Sequence, residues 1–133
     1  NKFNYINIGL WDKKDKLKFY KQNNNNYVSQ SLINNMFGEN YDEVDVNNIK
    51  NIMENRGHNK IDLLKLDIEG AEIKVLNNML DDEIYPKYLC IEFDLYLKKK
   101  DNDNSTKKLI QRLLDNEYKI LLNDNMNVTF KLK

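Results

Sequence analysis

The chain of 133 residues has one cysteine, one histidine, four glycines and no excess of either charge. Cys90 has no second cysteine to pair with, so an intramolecular disulfide is excluded. Its place in the apolar run 88–93 predicts a buried, inert thiol, compatible with a reducing interior and a cytoplasmic location. His58 sits in a polar turn with no cysteine or second histidine near it, which argues against a zinc site. Gly9, Gly38, Gly57 and Gly70 form neither a P-loop nor a G-x-G-x-x-G fingerprint, so no phosphate or dinucleotide cradle is visible. No G-x-S-x-G elbow supports a Ser–His–Asp arrangement. Lys+Arg and Asp+Glu each total 21, and without a basic excess nothing recommends nucleic acid as a partner. The aromatics are spread along the chain, as core and rim residues are. No apolar run approaches the roughly 20 residues of a membrane span, and no signal peptide is visible.

Asparagine and lysine are abundant, a pattern of AT-rich coding rather than of function. The run 23–26 reads as a polar loop, and 98–100 followed by Asp101 as a solvated connection. No repeat or linker divides the chain, and its length suits one domain spanning 1–133. The pattern predicts a strand at 5–10, a turn through 12–15, an extended piece at 17–20, a short helix near 31–37 and another extended piece at 43–46. A helix at 48–56 follows, with Ile49, Ile52 and Met53 at helical spacing and Gly57 as its terminator. The alternation then becomes regular: strand 63–66, helix 71–80, strand 88–93, helix 106–116 capped by Asn104 or Ser105, and strand 119–122. Strands separated by helices imply βαβ units and a mostly parallel sheet. Val128, Phe130 and Leu132 alternate with polar residues close behind the last strand, so the final strand must return antiparallel.

The most informative stretch is 61–76. Leu63, Leu64 and Leu66 suggest a strand covered on both faces, and Ile73, Leu76 and Leu80 suggest the buried stripe of the next helix. Between them fall Asp67, Glu69, Gly70 and Glu72, where α/β proteins bind ligands, outside the carboxyl ends of their strands. Gly70 allows a tight turn or a close backbone approach. Glu72 reads as a helix-entry carboxylate favoured by the macrodipole, and Glu69 is explained as well by helix entry as by a site. Asp67, at the end of a buried strand, needs a partner or a function. Lys65 interrupts the same strand and calls for a carboxylate partner such as Glu92.

These residues resemble the signature of FkbM-type methyltransferases, approximately I-D-L-L-K-x-D-x-E-G-A-E-x-x-V-L. Lys65, Asp67, Glu69, Gly70, Ala71 and Glu72 all match it. Similarity extends to Gly9, Leu10, Trp11 and Asp12 before the extended piece at 17–20, to the serine-containing loop 27–31, to the strand at 89–94 and to the closing hairpin 118–130. Glu117 stands where the family has glycine. The resemblance implies a class I, Rossmann-like α/β methyltransferase fold, S-adenosylmethionine as cofactor, and O-methylation of a sugar or small hydroxylated metabolite. It places Gly9, Leu10 and Trp11 near the adenine, and Asp67 and Glu69 at the reacting methyl and acceptor.

One part of that pattern is missing. The opening strand, glycine-rich loop, helix and acidic second strand that would hold the cofactor do not occur in the 133 residues. The expectation is therefore a domain truncated at its N-terminus, with residues 5–10 as the third strand and an exposed sheet edge where the central strand should lie. The opening on Asn1 rather than Met fits an upstream extension. Such a chain would bind cofactor poorly by itself and could self-associate through the open edge. Two other readings stand beside it: a non-catalytic α/β binding or assembly module, and a carboxylate metal site built from Asp67, Glu69 and Glu72.

Overall fold

The computed structural model describes residues 4–21, 30–32, 40–93, 104–124 and 127–133. The fold is α/β, with three helices and two four-stranded mixed sheets among those residues. The first sheet contains β1 (Gly9–Leu10), β2 (Asp15–Lys21), β3 (Gln30–Ser31) and β4 (Tyr41–Asn47), in the order β1-β4-β2-β3. Gly9 pairs with Val46 in parallel, while β2 runs antiparallel to both β4 and β3. A Cβ on Gly9 would meet Val46 Cγ1 at 3.1 Å, so the close approach of β1 to β4 favours glycine there.

Helix α1 (Ile49–Arg56) starts where Asn48 accepts the Asn51 N–H at 2.9 Å. It stops at Gly57, whose φ of 65° supplies the left-handed residue of a helix C-terminus. The second sheet contains β5 (Leu63–Leu66), β6 (Tyr88–Glu92), β7 (Tyr118–Asn123) and β8 (Asn127–Leu132), in the order β5-β6-β8-β7. Helix α2 (Glu72–Asp81) joins β5 to β6 in parallel, and α3 (Ser105–Asp115) lies between β6 and β7. Strand β8 inserts between β6 and β7, antiparallel to both.

The core lies between this second sheet and the helices. Leu66, Leu89, Ile91, Val128 and Phe130 meet Val75, Leu76, Met79, Leu109 and Leu113 in one buried cluster, which Ile49 of α1 joins. Strand residues in the cluster alternate along their strands, as a pleated sheet with one covered face requires. The Tyr118 hydroxyl donates to the Pro86 carbonyl at 2.7 Å inside this layer, and burial pushes the Tyr118 phenol pKa up from its ordinary value.

Several expectations are corrected. The sheet is not mostly parallel: two of six described ladders are parallel and four antiparallel, because β2, β3, β7 and β8 all pair through antiparallel contacts. The strand expected at 5–10 shrinks to Gly9–Leu10, since only those two residues find ladder partners on β4. Ser31, expected to open a short helix, lies in β3 and Leu32 in a bend, and 33–37 fall outside the described residues. The strand 63–66 is not covered on both faces, for Leu63 is 59% exposed. Cys90 is only half-buried and accepts a weak contact from the Thr129 hydroxyl at 3.8 Å.

Candidate functional site

The end of β5 changes environment within two residues: Leu66 is buried and Asp67 exposed. Lys65 and Asp67 share one face of the strand, and Lys65 Nζ meets Asp67 Oδ2 at 3.0 Å. The partner of Lys65 is therefore Asp67 two residues on rather than the expected Glu92 on the neighbouring strand, and the pair is solvated instead of interior, so it carries no large desolvation penalty. The backbone then turns sharply, with φ of 55° at Glu69 and 105° at Gly70. Glycine adopts such angles freely, whereas a left-handed glutamate is uncommon and must be held by its surroundings. Glu72 holds it. Its side chain is buried, and Oε1 accepts both the Ile68 and the Gly70 N–H, each at 3.1 Å.

The facing wall comes from the segment leading into β1. A cleft of about 450 Å³ separates residues 5–10 from Asp67, Ile68 and Glu69, with Phe19, Leu32, Glu43, Val44 and Asp45 completing its lining. Gly9, Leu10, Asp67 and Glu69 thus border one hollow, although nothing in their sequence spacing requires it. Trp11 does not. It lines a second hollow of about 570 Å³ with Asp12, Gly70, Ala71 and Lys74, so consecutive residues on both walls (Leu10–Trp11 and Glu69–Gly70) divide between the two. The Trp11 N–H donates to the Asn47 carbonyl at 3.0 Å, which continues the β1–β4 pairing. Lys74 of α2 closes the arrangement, donating to Asp12 Oδ2 at 3.0 Å while standing 5.0 Å from the Trp11 ring centroid. The other Asp12 oxygen, Oδ1, is buried and receives no hydrogen bond.

Electrostatically the cleft is one-sided. Glu43, Asp45, Asp67 and Glu69 line it, and no lysine, arginine or histidine occurs among its described lining residues. Lysines outside the lining offset part of this charge, Lys65 meeting Asp67 at 3.0 Å and Lys16 meeting Asp45 at 4.0 Å, so the lining offers acceptors to hydroxyl and amino groups and a reduced net negative field. Sequence reasoning missed Glu43 and Asp45, because strand pairing between distant segments brings them in and no motif marks them. The metal reading is corrected: no group of three potential ligands gathers among the described residues, because Glu72 turns inward to the backbone instead of joining Asp67 and Glu69.

The cleft lies beside the end of β5, the place where α/β folds commonly hold small molecules. Residues 1–120 match the methyltransferase FkbM domain, and the chain belongs to that family. No curated protein and no solved structure matches the chain. No helix among the described residues is long and apolar enough to cross a membrane.

Proposed function

We propose that the chain is the later part of an S-adenosylmethionine-dependent methyltransferase domain that methylates a hydroxyl of a sugar or small hydroxylated metabolite. The observation that carries this reading is the cleft that sets Gly9 and Leu10 against Asp67 and Glu69, in a chain of the FkbM family. The residues fit the nucleoside part of the cofactor. Leu10, Ile8 and Ile68 offer apolar walls for a ring, and the carboxylates offer acceptors for hydroxyls and a favourable field for a sulfonium. The glycine-rich loop for the methionine end does not occur in these 133 residues.

On this reading β5-β6-β8-β7 is the later half of a class I, Rossmann-like sheet. Its opening strands, carried outside the 133 residues, would enter along the edge of β5 that β6 leaves open. The bound cofactor supplies a methyl group on a positively charged sulfur. Asp67 and Glu69 orient the acceptor hydroxyl toward that carbon. With the activated methyl group supplied by the cofactor, one of these carboxylates would take the proton that the acceptor hydroxyl gives up. Alignment, more than acid–base strength, governs the rate.

The absent glycine loop favours a second reading, a non-catalytic α/β module that keeps the fold for binding or assembly. Labelled S-adenosylmethionine distinguishes the two, tested against this chain and against a longer product of the same gene that includes an upstream glycine loop. The methyltransferase reading expects weak binding by the former and tight binding, lost on Asp67→Ala, by the latter. Tight binding by neither overturns it. The β5 edge, unpaired among the described residues, also supports self-association, which sedimentation across a concentration series would report.

A further inference from the structure

Glu72 differs from every other acidic residue around the cleft in touching neither hollow. It is 1% exposed, in the first turn of α2, and it reaches back over the turn that precedes the helix. Its Oε1 accepts two backbone donors, the N–H groups of Ile68 and Gly70. Between those donors lies Glu69, left-handed at φ 55°, and the second donor belongs to Gly70 at φ 105°. A single carboxylate oxygen therefore bridges both sides of the most unusual backbone in the site. Buried N–H groups in a turn of this shape have no ladder to bond to, and removing their acceptor leaves them unsatisfied. The turn would then relax toward ordinary φ values, carrying Asp67, Ile68 and Glu69 with it.

We infer that Glu72 is a positioning residue. It fixes the conformation of the 67–70 wall, and through that wall it sets the affinity and alignment of whatever occupies the cleft. The functional consequence rests on the methyl-transfer reading, whereas the hold on the turn does not. The alternative role for a carboxylate in a first helical turn is to complement the helix dipole. The two roles make opposite demands on two substitutions. Glu72→Asp keeps the charge and withdraws the oxygen by one methylene. Glu72→Gln removes the charge and keeps an oxygen of the right reach for both N–H groups.

Amide hydrogen exchange on the full 133-residue chain separates them. Positioning expects Ile68 and Gly70 to be protected in the parent chain. It expects their exchange to rise about tenfold or more in Glu72→Asp, the size of effect that a lost buried hydrogen bond produces, and to stay close to the parent in Glu72→Gln. Amides of Leu76 and Leu89 serve as the control for core stability, and the rise at Ile68 and Gly70 in Glu72→Asp should exceed any rise there. The same pair of substitutions in the longer, loop-containing product should weaken S-adenosylhomocysteine binding about tenfold for Asp and leave it near the parent for Gln. Unprotected Ile68 and Gly70 amides in the parent chain would overturn the inference. So would Glu72→Asp behaving like the parent, or Glu72→Gln behaving like Asp. Failure of the parent product to bind S-adenosylhomocysteine would instead count against the methyl-transfer reading, and the exchange pattern would still decide the role of Glu72.

Discussion

The two faces of the β5-β6-β8-β7 sheet are made from alternate residues of the same strands, yet only one of them is a core. On the helix side, Leu66, Leu89, Ile91, Val128 and Phe130 are all at most 4% exposed. On the other side, the register aligns Leu63 with Tyr88 and Lys131, and Lys65 with Cys90 and Thr129, all exposed or half-buried. Helices α1, α2 and α3 all contribute to the first face. Pleating sorts side chains into two sets, but burial depends on what is laid over each set. Adjacent residues of one strand can therefore have very different energetic weight. The candidate site sits where this asymmetry ends, with buried Leu66 followed by exposed Asp67 and then by the turn that Glu72 ties to α2.

The sharpest test of the asymmetry is a pair of truncations on neighbouring strands. Leu89→Ala, on the covered face at 0% exposure, should cost about 2–5 kcal/mol in chemical denaturation, the range for a buried leucine. Equal stability of parent and variant would break the assignment of the core to this face. A smaller effect tests the edge of the same layer. Tyr118→Phe removes the buried hydroxyl that donates to Pro86 and should cost about 1–2 kcal/mol at neutral pH. The alkaline dependence has a definite sign. The phenol is harder to ionise when folded, so its contribution is complete below the ordinary pKa of 10.0 and is lost as pH rises above it. The parent should therefore lose stability above that pH more steeply than Tyr118→Phe, and parallel curves would show that the phenol is not buried as described.

Much of this covered face was legible beforehand. Helical spacing of Ile49, Ile52 and Met53, and of Ile73, Leu76 and Leu80, located α1 and α2 to within one residue at each end, because amphipathic periodicity is a local signal. The closing hairpin followed from alternation and from the short connection before Asn127. What local patterning does not contain is partnership at a distance. The apolar run Leu63, Leu64, Leu66 fitted a doubly covered strand, yet β5 has β6 on one side only among the described residues. Residues 5–8 include strand-forming side chains but find no ladder partner among the described residues, so β1 covers two residues. In the site, Asp67 and Glu69 stood out through their motif. Glu43 and Asp45 did not, because the pairing of β4 with β1 and β2 brings them to the cleft.

On the open face, effects should be small, and their smallness is informative. Leu63→Ala is expected to cost less than about 1 kcal/mol, since a side chain 59% exposed gives up little burial on truncation. A loss as large as that of Leu89→Ala would mean that something covers this face in solution. A dependence of that loss on protein concentration would identify a second copy of the chain as the cover.

The smallest effect expected lies on the same face, at the threshold of the cleft. Lys65 and Asp67 meet at 3.0 Å with their side chains 65% and 45% exposed. Solvent screens such a pair, and ordering two flexible side chains opposes it, so a double-mutant cycle with Lys65→Ala and Asp67→Ala should return a coupling below about 0.5 kcal/mol. Raising ionic strength should reduce even that. A coupling several times larger would indicate that the pair is desolvated, as it would be if strands or helices from elsewhere lay along the open edge of β5. On the methyltransferase reading proposed above, repeating the cycle in a chain extended upstream then becomes the more telling comparison. If upstream chain does complete the sheet, the coupling should grow and Leu63→Ala should become costly in step with it, because one covering layer would bury both.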